Sequence, residues 1–567
     1  MLRSAVRWTG AVALAAALAF SAVTAQPSSA GPGLRFEVSF PSSVHATPID
    51  GRVFVILSKT ATPEPRLQIE GYDGDAPFFG ADVEGLRPGQ WTVVGDTDDG
   101  YPYLHLQDLP AGDYYVQPLL SVYTTFHRAD GHVVQMHMDQ WEGQRFAISP
   151  GNLYGTPQKI HVDGGVKART IRLTLDQVIP PLGVPPDTAW VKHVRFESPL
   201  LSKFWGHPIF IGATILLPKG YDTNQAVRYP VNYEQGHFSR RAPGGFGEPV
   251  TLPPGAGDRL RARVQEQQAF EEAWKSNGYP RMLYVTFQTP TPYYDDSYAV
   301  DSPNSGPYGQ AITQELIPYI DAHFRTIAQP WARVVSGGST GGWESLALQI
   351  FHPEFFGGTY SYCPDPVDFH GFQIVNIYDW PNAWFRQTGG ITVPLPGMRD
   401  TTGVVLNTMQ QEMHYERARG NKGRSGEQWD VWEATYGPLG DNGYFKPLID
   451  PQTGAIDPQV AAYWRDHMDL TRYLETHWSE VGPQLAGKLH IWVGDMDTYY
   501  LNNAVHILDA YLSTTTNPPY GGSIMYGPRQ PHCWAGPLPL AERLQGMAQD
   551  IAAHAPRTAD LDWWPER

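Results

Sequence analysis

Cysteine is nearly absent: Cys363 and Cys533 are the only two in 567 residues, so at most one internal disulfide is available. Basic residues are also in deficit, 41 Lys and Arg against 58 Asp and Glu, for a formal net charge of −17. Nucleic acid and anionic membranes both require basic surfaces, so neither is expected as a partner. No apolar run of about 18 residues follows the amino-terminal stretch, so no membrane span is expected. The acid-bearing segment around Asp295, Asp296 and Asp301 lacks glycine at the spacing of an EF-hand loop. That removes the usual calcium motif. A structural turn is left for those acids, or binding of a cation or of substrate hydroxyls.

What is abundant points to turns and loops. The chain has 57 glycines, 51 prolines and 13% aromatic residues, with an ordinary 41% hydrophobic content. A chain this long exceeds one core, so two domains with insertions are expected. Arg3 and Arg7 precede the apolar run 11–23, and Val23-Thr24-Ala25 ends in a small-residue cleavage pattern. Residues 1–25 therefore read as a cleaved export signal, with a secreted or periplasmic mature chain starting near Gln26. There is no Arg-Arg pair and no lipobox cysteine in this segment.

From 31 to 180 the pattern is short β-like runs between Gly, Pro and Asp turns, among them 34–40, 51–57, 113–120, 133–138 and 169–175. This predicts a β-sandwich domain, serving as support, as a spacer or as a binding module. After the proline-rich junction 179–186, strands alternate with helices. Strands are expected at 209–217, 229–233, 282–287, 333–336, 355–362, 489–493 and 523–526, and helices at 261–276, 310–324, 502–512 and 540–552. Alternation of this kind predicts a mostly parallel sheet covered on both faces, over 187–363 and 485–567. The interval 364–484 breaks the rhythm and carries Trp380, Trp384, Trp429, Trp432, Trp464 and Trp478. It reads as a cap over the site, with helices near 404–417 and 458–474. Its tryptophans form either the cap's own core or an aromatic cleft.

Chemistry concentrates at Gly337-Gly338-Ser339-Thr340-Gly341, between the apolar run 332–335 and a helix-compatible stretch that begins at Trp343. Strand, glycine-rich corner and helix form a nucleophile elbow, which presents a serine hydroxyl clear of the backbone. Such a hydroxyl needs a base, and the base needs an orienting carboxylate. In the α/β-hydrolase fold these follow in the order Ser, acid, His. The strand 489–493 runs into Asp495 and Asp497, and His532 follows the next strand. Asp497 is the expected acid, Asp495 the alternative, and His532 the base. The oxyanion donors are expected from the amides of Thr340 and of His237, where Gly236 permits close approach. Gly236, Trp343, Asp295 and Asp296 are further candidates for substrate contact. If Cys363 and Cys533 both lie beside the serine, a disulfide could pin the loop that carries His532; otherwise they are two unpaired thiols.

From about Phe196 onward the chain resembles the esterases of the α/β-hydrolase superfamily that include esterase D, feruloyl and acetylxylan esterases, and enterochelin esterases. The matching pieces are Arg228-Tyr229-Pro230-Val231, Gly337 to Gly342, Gly494-x-x-Asp497, and His532. The resemblance implies hydrolysis of a small-molecule or polysaccharide-linked carboxylic ester through an acyl-enzyme, with no cofactor and no metal. Phenolic or acetyl esters of carbohydrate and siderophore lactones both suit it. The family usually has His-Gly after the oxyanion strand, where this chain has Gln235-Gly236-His237. The His532-Cys533 pair also resembles tannase-like esterases, in which the cysteine beside the histidine is bridged to one adjoining the serine. Gly338 holds that second position here. A prolyl-oligopeptidase-like peptidase shares the elbow, but the β region is too short for its propeller.

Overall fold

In the computed structural model, residues 33–565 are described apart from 73, 75, 164–168, 250, 251, 253, 254 and 256. The export signal expected over 1–25 lies outside the described residues. Among the described residues, no helix is long and apolar enough to cross a membrane.

The amino-terminal region forms two sheets. In the smaller, Leu34–Ser39 lies between Arg169–Thr174 and Thr92–Val94. The larger is built around Ile49–Ser58 and the long strand Gly112–His127, which pair antiparallel from Gly51↔Val122 to Ser58↔Tyr115. Alternation along the strands explains how they share a core. Phe36 and Val38 of one sheet and Val53, Val55 and Leu57 of the other belong to a single buried cluster. The intervening Phe54 and Ile56 point the opposite way, into a second cluster with Tyr415 and Ala418 of the cap. The larger sheet is thus apolar on both faces, and its second face is covered by the insertion.

The second unit is an α/β-hydrolase sheet of eight strands: β1 (Val191–Glu197), β2 (Phe210–Leu216), β3 (Val231–Gln235), β4 (Leu283–Gln288), β5 (Arg333–Gly338), β6 (Gly358–Tyr362), β7 (Leu489–Gly494) and β8 (Ser523–Gly527). Their spatial order is β1-β2-β4-β3-β5-β6-β7-β8. The β1–β2 and β2–β4 pairs are antiparallel and the other five are parallel. The expected mostly parallel sheet is present, with β1 as an additional edge strand. Helices α1 (Asp258–Lys275) and α2 (Thr340–Phe351) come before the insertion. Pro230 cannot donate to a ladder, so β3 begins at Val231, although Tyr229 still forms an isolated bridge with Thr326.

The insertion carries α3 (Met409–Arg419), α4 (Gln428–Tyr436), α5 (Pro458–His467) and α6 (Leu470–Leu485). The helix expected over 404–417 is a strand, Val405–Thr408, followed by α3. Thr408 makes the break: its hydroxyl accepts from the Gln411 amide and the Gln411 side chain answers at the Thr408 amide. The stretch expected as one helix over 458–474 is two, because Asp469 caps α6 through the Arg472 amide. The last two helices are α7 (Asn502–Leu512) and α8 (Leu540–His554).

Candidate active site

Ser339 stands between β5 and α2 at φ 58°, ψ −122°. That left-handed backbone is costly for a residue with a Cβ, and here its neighbours hold it in place. The Ser339 amide donates to the Tyr362 carbonyl at 3.0 Å, and the Ser339 carbonyl receives the Asp365 amide at 3.2 Å. Gly341 explains the glycine requirement on the helix side. A Cβ there would lie 2.1 Å from the Gln235 carbonyl oxygen and 2.9 Å from the Gly236 amide nitrogen. The loop after β3 therefore lies directly against the start of α2. Gly236 itself takes φ 146°, which favours glycine.

Three side chains distant in sequence converge on this corner. His532 Nε2 is 2.9 Å from Ser339 Oγ, and His532 Nδ1 is 2.8 Å from Asp497 Oδ2. A carboxylate can only accept, so Nδ1 carries the proton and Nε2 of the neutral ring is the acceptor facing the hydroxyl. Asp497 is fully buried, and its other oxygen accepts from the amides of Tyr499 at 2.9 Å and Leu501 at 3.2 Å, the turn that leads into α7. Asp495, the alternative acid, instead receives the Arg529 amide. Burial opposes a charge on the His532 ring. The Asp497 carboxylate outweighs it and holds the pKa well above the ordinary 6.5. Tyr499 packs edge-on against the imidazole at a centroid distance of 4.9 Å.

The cysteines lie where a bridge was expected, but both are free thiols. Cys363 Sγ, Cys533 Sγ and a His532 ring nitrogen all lie within 4.8 Å of one another. Cys363 is buried at the end of β6 and Cys533 is exposed. A hydrogen bond from the Cys363 thiol, aided by His532, lowers Cys533 to about 5, whereas burial pushes Cys363 far up. At neutral pH, iodoacetamide should therefore alkylate Cys533 and spare Cys363 in the folded protein. Peptide mapping should find one modified cysteine, with activity lost in step with the label. Cys533→Ser should abolish that time-dependent loss.

The other expected contacts divide. His237 is half exposed, 3.2 Å from Asp295 and 3.1 Å from the Tyr294 hydroxyl. Burial of the ring would lower its pKa, but Asp295 raises it to about 9, so the loop beside the elbow bears a cation at neutral pH. Asp296 does not face the site. It is 2% exposed and accepts from the Tyr298 amide at 2.9 Å, and burial raises both its pKa and that of neighbouring Glu344. Trp343 is also removed from substrate contact. It is fully buried, packed against Tyr298 and Tyr436, because the helix turns that position into the core. Trp384, Trp429, Trp432, Trp464 and Trp478 are likewise buried, in the core shared by the cap and α2.

One side chain at the site was not anticipated. Asp365, two residues beyond Cys363 at the carboxyl end of β6, places Oδ1 3.4 Å from Ser339 Oγ. Its Oδ2 faces the hydroxyls of Tyr298 at 2.5 Å and Thr340 at 3.3 Å, Trp432 Nε1 at 3.2 Å and Gln428 Nε2 at 3.2 Å. Two of these donors come from α4, so the cap helps to build the site. The available signal was position: ligands gather at the carboxyl ends of parallel strands, and Asp365 follows the strand next to the elbow.

Residues 210–368 match the family described as "Putative esterase". This bears out the resemblance read from the sequence and the enzyme class that goes with it, a serine esterase acting on carboxylic esters. No curated protein matches the chain. Among solved structures, a ferulic acid esterase is 15% identical at a TM-score of 0.34, covering 64% of this chain and 99% of that one. An S-formylglutathione hydrolase from Agrobacterium tumefaciens is 14% identical, also at 0.34, covering 64% and 98%. A ferulic acid esterase from Anaeromyces mucronatus is 11% identical at 0.27, covering 63% and 89%.

Proposed function

We propose that the protein is an exported carboxylic-ester hydrolase working through Ser339, His532 and Asp497 by way of an acyl-enzyme. The observation that carries this reading is the unbroken chain of contacts from Ser339 through His532 to Asp497, 2.9 and 2.8 Å. His532 Nε2 takes the hydroxyl proton as Ser339 Oγ adds to the ester carbonyl. Asp497 holds the ring and stabilises the imidazolium. The amides of Thr340 and His237 receive the oxyanion; Gly341 supports this by bringing the two loops together. Collapse of the tetrahedral species expels the alcohol, which takes its proton from His532. Water, deprotonated by the same nitrogen, then releases the acid and regenerates Ser339.

The export signal over 1–25 supports a secreted or periplasmic location. Residues 31–180 act as support for the cap, in keeping with Tyr415 and Ala418 packed on the larger sheet. The substrate is a small-molecule or polysaccharide-linked ester reached under the cap insertion 364–484. Purified protein assayed over a p-nitrophenyl ester series tests the reading. Turnover with an initial burst of p-nitrophenol, one equivalent per site, is expected where deacylation is slow. Failure to hydrolyse any ester would contradict it.

A further inference from the structure

The hydroxyl of Ser339 has one proton and two acceptors in range, His532 Nε2 at 2.9 Å and Asp365 Oδ1 at 3.4 Å. In the state competent for attack, that proton points at His532. Asp365 Oδ1 is then a carboxylate oxygen without a donor among the described residues, on a residue only 2% exposed and next to the reacting atom. The four contacts from Tyr298, Thr340, Trp432 and Gln428 all fall on Oδ2, so none of them occupies Oδ1. The second oxygen is what a carboxylate adds here. A buried negative charge so near Ser339 also opposes the build-up of charge on the tetrahedral intermediate, and a donor on the substrate would add to the offset that His532 and His237 provide.

We propose that Asp365 binds substrate, accepting a hydrogen bond from a hydroxyl or ammonium group on the carbon next to the scissile carbonyl. The enzyme then favours 2-hydroxyacyl or 2-aminoacyl esters over plain alkanoyl esters. This rests on Ser339 being the nucleophile. Distance supports the assignment. In an attack-ready complex the carbonyl carbon lies about 3–3.5 Å from Oγ. A donor two bonds from that carbon reaches an acceptor that is itself 3.4 Å from Oγ. Gln428 braces this carboxylate: it accepts from the Tyr294 hydroxyl and donates to Asp365 Oδ2, while Asp295 is taken up by His237. Burial raises the Asp365 pKa, but Tyr298, His532, His237 and Trp432 all work to keep the carboxylate charged.

The test compares p-nitrophenyl acetate, glycolate and glycinate, each corrected for its own reactivity with hydroxide. For the wild-type enzyme, kcat/KM for the glycolate or glycinate ester should exceed that for acetate by about 10- to 100-fold, as expected for a hydrogen bond to a buried charged group. Asp365→Asn should bring the ratio close to one. A preference for glycinate identifies the ammonium as the donor, and a preference for glycolate the hydroxyl. If Asp365→Asn does not fold, the wild-type ratio alone decides. Acetate turnover with a wild-type ratio near one overturns this inference and leaves the esterase reading standing. No turnover of any of the three overturns the esterase reading itself.

Discussion

Replacing Ser339 with alanine should lower ester turnover by about six orders of magnitude, as loss of a triad nucleophile does elsewhere. The effect should fall on kcat. On the proposed mechanism alanine removes the attacking atom but leaves the elbow backbone, the proposed oxyanion amides and the cap contacts in place. The fold should survive, because the Ser339 amide and carbonyl are held by Tyr362 and Asp365, and neither bond uses the side chain. Circular dichroism and thermal melting should match wild type, while p-nitrophenyl ester hydrolysis falls to the residual rate that the oxyanion amides and binding alone supply. Retained activity in a folded Ser339→Ala protein would place the nucleophile elsewhere.

The second large effect is on Asp497. Exchange for asparagine should cost about 10⁴ in kcat, since an amide can donate to Nδ1 and so stabilise the wrong tautomer of His532. It should also move the pH profile. In the proposed mechanism neutral His532 is the base, so kcat/KM should rise with pH through the pKa of the free enzyme's imidazole. Asp497 holds that pKa well above 6.5, so the wild-type midpoint lies above 6.5. Burial alone pulls the other way, and without the carboxylate the midpoint should fall. A profile over pH 5–10 measures both. An unmoved midpoint would mean that Asp497 does not act on His532.

Much of this site could be read from the chain because its parts are ordered along it. The elbow announced itself by glycines between a strand and a helix, and Asp497 and His532 by following the two strands that come after the insertion, β7 and β8. Asp365 could not be read in that way. Its meaning depends on Gln428 and Trp432, more than sixty positions later, folding back from the cap onto Oδ2. Trp343 misled for the opposite reason. It is close to Ser339 in sequence, but helical geometry turns its ring into the core. The cap helices illustrate the limit set by local capping: Thr408 and Asp469 each interrupted a stretch that apolar periodicity ran together. The strand β1 was missed because it pairs antiparallel at a sheet edge, outside the strand–helix alternation that revealed its neighbours.

The most direct measurement is the site of covalent labelling by a fluorophosphonate, mapped by mass spectrometry on the full chain. A single adduct on Ser339, absent after prior acylation and absent from Ser339→Ala, is the predicted result. An adduct on any other residue, or none on folded protein that hydrolyses esters, would contradict the assignment of Ser339 as the nucleophile.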